Sequence, residues 1–274
     1  MHQTIGSTGS APHLRGSPRR SGLRRVIRLV AILVSITLVG GGAWYLLLFL
    51  ATRTDSGSAA IDKSVRIVEV TIDSGDIRID VAGQGEKTEL RKKLTKSLRS
   101  PDEKIEHDGD TLRITTTCGD GMGQCGSDYS LTVQAGTRVK VNTRLGDVSV
   151  TGVRATVEGR TRIGSVHIEH VIGDRIVAAS ETGAVTLKDV GFDTAEATSK
   201  MGDIRVDEIE PFKKLRAVTK VGDVELHLPS RAGPFSVNAL TEIGDRKVEV
   251  AVDSSSGTAL EARTKIGDVT VRND

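Results

Sequence analysis

Aromatic side chains are scarce in this chain: one Trp, two Tyr and four Phe in 274 residues, 3% of the sequence. That poverty argues against nucleic-acid binding by base stacking and against a sugar cleft lined with aromatic platforms. Two cysteines cannot build a disulfide-rich scaffold or a four-Cys zinc site. Acidic residues are missing from the first 54 positions; the first is Asp55. Hydrophobic residues make up 37%, too many for a disordered chain and too few for a membrane protein of many spans.

The missing acids make the net charge of +2 misleading. Seven Arg before Asp55 give +7, and the remaining 31 basic and 36 acidic residues give −5. Leu29 to Ala51 is a charge-free run of 23 residues. A bilayer core about 30 Å thick needs roughly 20 apolar residues in a helix, so residues 26–51 read as a transmembrane helix. Six Arg before it and one after it predict a cytoplasmic N-terminus and an extracytoplasmic C-terminal domain. A cleaved signal peptide would have a shorter apolar region and a small-residue exit, which Leu50-Ala51-Thr52 matches poorly. No Cys ends the run to carry a lipid anchor. Residues 1–25, rich in Ser, Gly, Pro and Arg, read as a disordered basic cytoplasmic tail, and 52–62 as a flexible linker.

What is present beyond the linker is a repeat. Glycines at 146, 164, 183, 202, 222, 244 and 267 are 18, 19, 19, 20, 22 and 23 residues apart. Three before each stands a hydroxyl: Thr143, Thr161, Ser180, Ser199, Thr219, Thr241 and Thr264. Apolar or small residues recur at −7, −5, −3 and −1 and again at +2 and +4, a period of two on both sides of the glycine. That spacing predicts two short strands per repeat with a corner at Gly146, Gly164, Gly183, Gly202, Gly222, Gly244 and Gly267, where glycine permits a positive φ or a close approach. A unit of about 20 residues cannot bury its own face, so the repeats must stack. The expected fold is all-β: a β-solenoid of about seven coils over residues 141–274, rising about 4.8 Å per coil. Small Ala and Thr columns imply closely approaching sheets, which leaves little room for aromatics. Acids after most glycines and bases two before them read as a solvated, partly neutralised corner.

Residues 63–140 look different, with one isolated Gly75-Asp76 corner. Leu90, Leu94 and Leu98 lie four apart within 86–100, the spacing of a short amphipathic helix. The segment reads as a β-rich cap over the first solenoid edge. At the other end, Val271 to Asp274 read as an edge strand protected by charge. Cys118 and Cys125 flank a Gly-rich loop, and outside the cytoplasm a disulfide is the expected state. Their spacing matches neither a C-x-x-C redox pair nor common zinc knuckles.

Catalytic chemistry does not stand out. His107, His167, His170 and His227 are scattered, and His167 and His170, three apart on a strand, point to opposite faces. No G-x-S-x-G elbow accompanies the many Ser and Thr. The expectation is no catalytic, cofactor or metal site and no cofactor, although a solenoid can bring distant acids together as glycan-cleaving β-helices do.

The run Thr143-Arg144-Leu145-Gly146-Asp147-Val148, echoed at Thr219 to Val224 and Thr264 to Val269, resembles the bacterial "putative adhesin" family of β-strand-repeat envelope proteins. The cysteine-flanked loop and the anchor look like actinobacterial members. The resemblance covers about residues 63–274 and implies an envelope-exposed β-solenoid, with no functional residues to carry over. Ala184 in place of the corner Asp and Arg246 in an apolar column depart from the pattern and mark coils three and six as irregular. The leading expectation is a non-enzymatic adhesin-like binding or scaffold module at the cell envelope. Its partners would be the lipid bilayer through the anchor, and cell-wall polymer or another envelope protein, with no nucleic acid. Alternatives are an envelope-stress sensor signalling through the span, or a glycan-active enzyme.

Overall fold

A computed structural model describes residues 20–50, 53–61, 64–83, 87–96, 100–119, 125–209, 212–229 and 233–273. The chain divides into two units, 1–50 and 51–274. In the first, one helix, α1 (Arg20–Leu50), runs for 31 residues, so positions 20–25 of the expected tail are helical. Positions 1–19 of that tail lie outside the described residues. Side chains are described at 27–42 and at Trp44, all of them exposed. Among the described residues no helix is long and apolar enough to cross a membrane.

The second unit is built from strands. The segment expected as a linker is instead strand β1 (Arg53–Ile61), paired antiparallel to β4 (Thr88–Lys96). That β4 occupies the place where an amphipathic helix was expected. A four-residue spacing is a multiple of two as well as near one helical turn, so Leu90 and Leu94 share a strand face equally well. Leu98 lies outside the described residues. Between β1 and β4 come β2 (Ile67–Ser74) and β3 (Ile77–Val81). After them follow β5 (Asp102–Asp108), β6 (Thr111–Thr117) and β7 (Cys125–Val133).

From residue 138 the chain winds as a solenoid. Strands β8 (Arg138–Leu145) and β9 (Val148–Thr151) turn at Gly146, and β10 (Val157–Ile163) turns at Gly164 into β11 (Val166–Thr182). Two 17-residue strands, β11 and β12 (Val185–Met201), each leave one corner and run on to the next. The remaining strands are β13 (Ile204–Ile209), β14 (Lys214–Val218), β15 (Val224–Leu228), β16 (Ser236–Leu240), β17 (Arg246–Glu249), β18 (Ala259–Arg263) and β19 (Val269–Asn273). Coil-to-coil pairing is parallel and in register, column on column: Val157 pairs with Val139 and Ile176, Thr161 with Thr143 and Ser180.

Stacking order departs from chain order at both ends. Strand β2 lies between β6 and β8, and β3 between β7 and β9, so the Gly75 corner is a full coil of the stack rather than part of a separate cap. Similarly β18 lies between β14 and β16, and β19 between β15 and β17. The last coil in sequence is therefore an inner coil, and the Gly244 coil is the outermost. This corrects the expected edge at Val271 to Asp274. It also explains Arg246, which is exposed in an otherwise buried column because its coil ends the stack. The Gly183 coil, by contrast, keeps the regular corner despite Ala184. At the opposite end β5 extends the sheet antiparallel to β6, and β4 antiparallel to β7.

The core is a narrow sandwich. Outside the Gly244 coil, columns at −7, −5, +2 and +4 are buried, and a Cβ on Gly159 at −5 would sit 3.3 Å from Val148 and Val166 at +2. This close approach explains the Ala column Ala178, Ala197, Ala217 and Ala262. Three of the four phenylalanines, Phe192, Phe212 and Phe235, form a ladder of their own, with ring centroids 5.5 and 5.8 Å apart.

Candidate ligand-binding face

The corner explains each conserved column of the repeat by hydrogen bonding. Gly164 has φ +141°, and a Cβ there would lie 2.1 Å from the Gly146 carbonyl oxygen. Every corner glycine meets its neighbour in this way, so the position excludes side chains by contact as well as by φ. The hydroxyl at −3 points inward and donates to the glycine carbonyl of the adjacent coil: Thr161 to Gly146 at 2.8 Å, Ser180 to Gly164 at 2.8 Å, Thr264 to Gly222 at 2.8 Å. Those buried hydroxyls are thereby satisfied, which is why Ser or Thr is needed at an interior position.

The acid column does similar work outside. Asp76 Oδ1 accepts the Asp147 N–H at 2.8 Å, Asp147 that of Ser165 at 2.7 Å, and Asp223 that of Asp268 at 2.8 Å. The corner is more than the solvated, charge-balanced edge expected from sequence. Each of these carboxylates ties one coil to the next through one oxygen, and its other oxygen makes no hydrogen bond among the described residues.

Beside this column, on the outer face of the sheet, lies a cleft of about 590 Å³. Five adjacent strands set its floor in register: Arg91, Ser130, Arg78, Ser149 and His167 form one row. Lys93, Asp128, Asp76, Asp147 and Ser165 form a second row two residues away. Alternation places both rows outward because Tyr129, Ile77 and Val148 between them point into the core. The Glu89 carboxylate grips Arg91 through two hydrogen bonds of 2.9 and 3.0 Å and raises its pKa above the usual guanidinium value. Arg78 and Lys93 make no ion pair among the described residues. Behind the cleft, the buried Tyr129 hydroxyl donates to Glu103 at 2.6 Å and lies 2.6 Å from Thr116, while Lys92 pairs with Glu103. Burial, then the Glu103 hydrogen bond, raise the Tyr129 pKa well above its ordinary value.

The other residues singled out from sequence lie elsewhere. Cys118 and Cys125 are joined in a disulfide, Cα atoms 5.9 Å apart, at the start of β7. His170 is exposed within β11, with φ +55°, 3.3 Å from Asp189, and His167 lies 3.3 Å from Glu169. His227 pairs with Asp207 at 2.7 Å on another part of the sheet. Among the described residues no group of three or more His, Cys, Asp or Glu could hold a metal ion. Sequence reasoning missed the cleft: it depends on β4 and β3 lying either side of β7, which chain order does not reveal. Arg78, three after Gly75, could have been placed in an outward column once that isolated corner was read as a coil.

A family model described as Toastrack DUF4097 matches residues 123–273, more than half of the chain. The chain belongs to this Toastrack family. Its matched segment takes in β7 and every coil from Gly146 to Gly267. Among solved structures, a protein of Bacteroides fragilis described as a "putative adhesin" superposes with a TM-score of 0.54 at 16% identity, covering 81% of this chain and 97% of that one. One from Parabacteroides distasonis with the same description gives 0.43 at 12% identity, over 80% and 97%. At such identities the likeness to the first supports the fold alone. No curated protein matches the sequence.

Proposed function

We propose that this Toastrack chain is a non-enzymatic binding module held at the outer face of a membrane by its N-terminal helix. The cleft beside the Gly75 and Gly146 corners takes an extended, polyhydroxylated ligand that carries negative charge, such as a cell-wall polymer. The observation that carries this reading is the pairing of two uncommitted cations, Arg78 and Lys93, with a row of serines in one cleft. Cations that make no ion pair among the described residues can give an anionic group charge-assisted hydrogen bonds without first breaking one within the protein. Free oxygens of Asp76, Asp128 and Asp147 can accept ligand hydroxyls, while Ser130 and Ser149 can donate or accept. Their other oxygens are held by backbone N–H groups, which suits a fixed recognition surface better than proton transfer. The description of the Bacteroides fragilis protein as an adhesin agrees with binding rather than turnover.

Membrane attachment rests on the charge-free run Leu29 to Ala51, the one-sided Arg cluster and the continuous helix Arg20–Leu50. Calorimetry of the full chain against purified anionic wall polymer tests the ligand. Binding should weaken at least about tenfold, or ~1.4 kcal/mol, in Arg78→Ala/Lys93→Ala and fall with salt. Unchanged affinity in that variant would remove the cleft from the binding site. For topology, a reporter fused after Asp274 should be active only outside the cytoplasm.

A further inference from the structure

The column just before the corner glycines behaves unlike the rest of the repeat. Its period-two position predicts an interior residue, yet the chain bends at the corner and leaves it outside. In stacking order the column reads Ser74, Leu145, Ile163, Thr182, Met201, Val221, Ile266 and Ile243. Six of these eight, all from the Gly146 coil onward, are large and apolar, and those six are 43–64% exposed. At about 4.8 Å per coil they form a continuous ridge roughly 30 Å long. A core does not require apolar residues there, so the column needs another explanation.

Its flanks carry opposite charge. On the side of β8, β10 and β14 stand the residues two before each glycine: Arg144, Arg162, Glu181, Lys200, Lys220, Lys265 and Glu242. On the side of β9, β13 and β15 stand the residues after it: Asp147, Ser165, Ala184, Asp203, Asp223, Asp268 and Asp245. We infer that this ridge is a self-association surface, on which a second copy of the chain lies side by side and parallel, related by a two-fold axis along the solenoid. That rotation brings each ridge residue against its own counterpart and each base column against the partner copy's acid column. Four coils then place a base opposite an acid: Arg144 with Asp147, Lys200 with Asp203, Lys220 with Asp223, and Lys265 with Asp268. In the one inner coil whose base is replaced by an acid, Glu181, the opposing position is Ala184, so no like charges meet. Two coils oppose two acids, both toward the ends of the stack: the Gly244 coil with Glu242 and Asp245, and the Gly75 coil with Asp73 and Asp76. Asp73 is also 3.3 Å from Arg144 of its own chain. An antiparallel copy would instead set base column on base column, which is repulsive along the whole ridge.

The acids are available for this. Asp147, Asp203, Asp223 and Asp268 each spend one oxygen on the neighbouring coil's N–H and keep the second. Lys220 and Lys265 make no ion pair among the described residues. A ridge of about 30 Å by the ~10 Å between sheets covers only about 300 Å² per copy, which makes the contact weak and dependent on local concentration.

The native cysteines are locked in a disulfide, so single cysteines report cleanly. In the full chain, purified in detergent and mildly oxidised, Ile163→Cys, Val221→Cys and Ile266→Cys should each give a covalent dimer. Lys140→Cys, on the outer face of β8, should not. Adding Lys200→Glu/Lys220→Glu/Lys265→Glu to Val221→Cys should cut the dimer yield by about fivefold or more, and raised salt should lower it as well. A melting curve matching the parent's establishes that the charge variant is folded. The inference is overturned if no ridge cysteine dimerises or if the yield ignores charge reversal. Leu145→Cys joining Ile243→Cys in a mixture, the antiparallel signature, overturns it too, as does cross-linking only to a different protein.

Discussion

A Cβ added at Gly164 would stand 2.1 Å from a backbone oxygen, closer than any side-chain adjustment can relieve. Gly164→Ala should therefore cost about 3 kcal/mol, read from the urea midpoint, since the conformation is essentially glycine-only. Gly136, with nothing within 4 Å and no positive φ, supplies the control, and Gly136→Ala should stay within about 0.5 kcal/mol of the parent. Tyr129 offers a second test. Tyr129→Phe leaves Glu103 without its hydroxyl donor and should destabilise by about 1–3 kcal/mol. Because the folded pKa of Tyr129 is raised, its contribution is complete below the unfolded value near 10 and is lost as pH rises. The variant should flatten the decline in stability above about pH 10, which a pH series of denaturation curves would show. At this scale the glycine and hydroxyl columns were legible in the sequence as corner and interior positions, whereas the bonds they and the acid column make join neighbouring coils 15 to 71 residues apart in the chain. The ridge residues were not legible. A period of two assigns Leu145 and Ile163 inward, and only the bend at the corner turns them out.

At the scale of elements, interleaving of the two ends is the main result. Strands β18 and β19 each pair on both sides, so they brace the Gly244 coil and close the Gly222 coil together. Removing residues 256–274 should therefore abolish cooperative folding of the solenoid end rather than shorten it by one coil, as seen in the amplitude and steepness of thermal unfolding by circular dichroism. A simple terminal coil would give a small loss of stability with cooperativity retained. Chain order is the default expectation for stacking, because neighbouring repeats close the shortest loops. Little in the columns opposes the swap: the coils from Gly146 to Gly267 share the glycine and hydroxyl positions, and Arg246 in the apolar column of the Gly244 coil fits the end of the stack, where it is exposed. The helix expected within 86–100 gives way to a strand for a related reason. Leu90 and Leu94, four apart, satisfy both helical and strand periods, and pairing of β4 with β7 decides between them.

For the whole molecule, three exposed acids with depressed pKa values each add a small, solvent-screened loss of stability at low pH. Hydrogen bonds from His167 hold Glu169 below the usual range; those from Lys200 do so for Glu181, and those from Ser255 for Asp253. Depressed carboxylates contribute stability that is present above their unfolded pKa and lost as pH falls through the folded one. Thermal midpoints should stay level from neutral pH to about 4.5 and fall below it. A midpoint already falling between about pH 7 and 5 would point to other groups.

The sequence by itself determined the all-β solenoid, its corners, its buried hydroxyls and its division into a basic N-terminal segment and an acidic remainder. Those follow from short-range periodicity, glycine stereochemistry and charge counting, all of which are local. Only the tertiary structure decided which coil lies beside which, that the Gly75 corner joins the stack, and where the cleft and the exposed ridge form. Each of these depends on contacts between strands far apart in the chain, and identical repeat columns carry no mark of their neighbours.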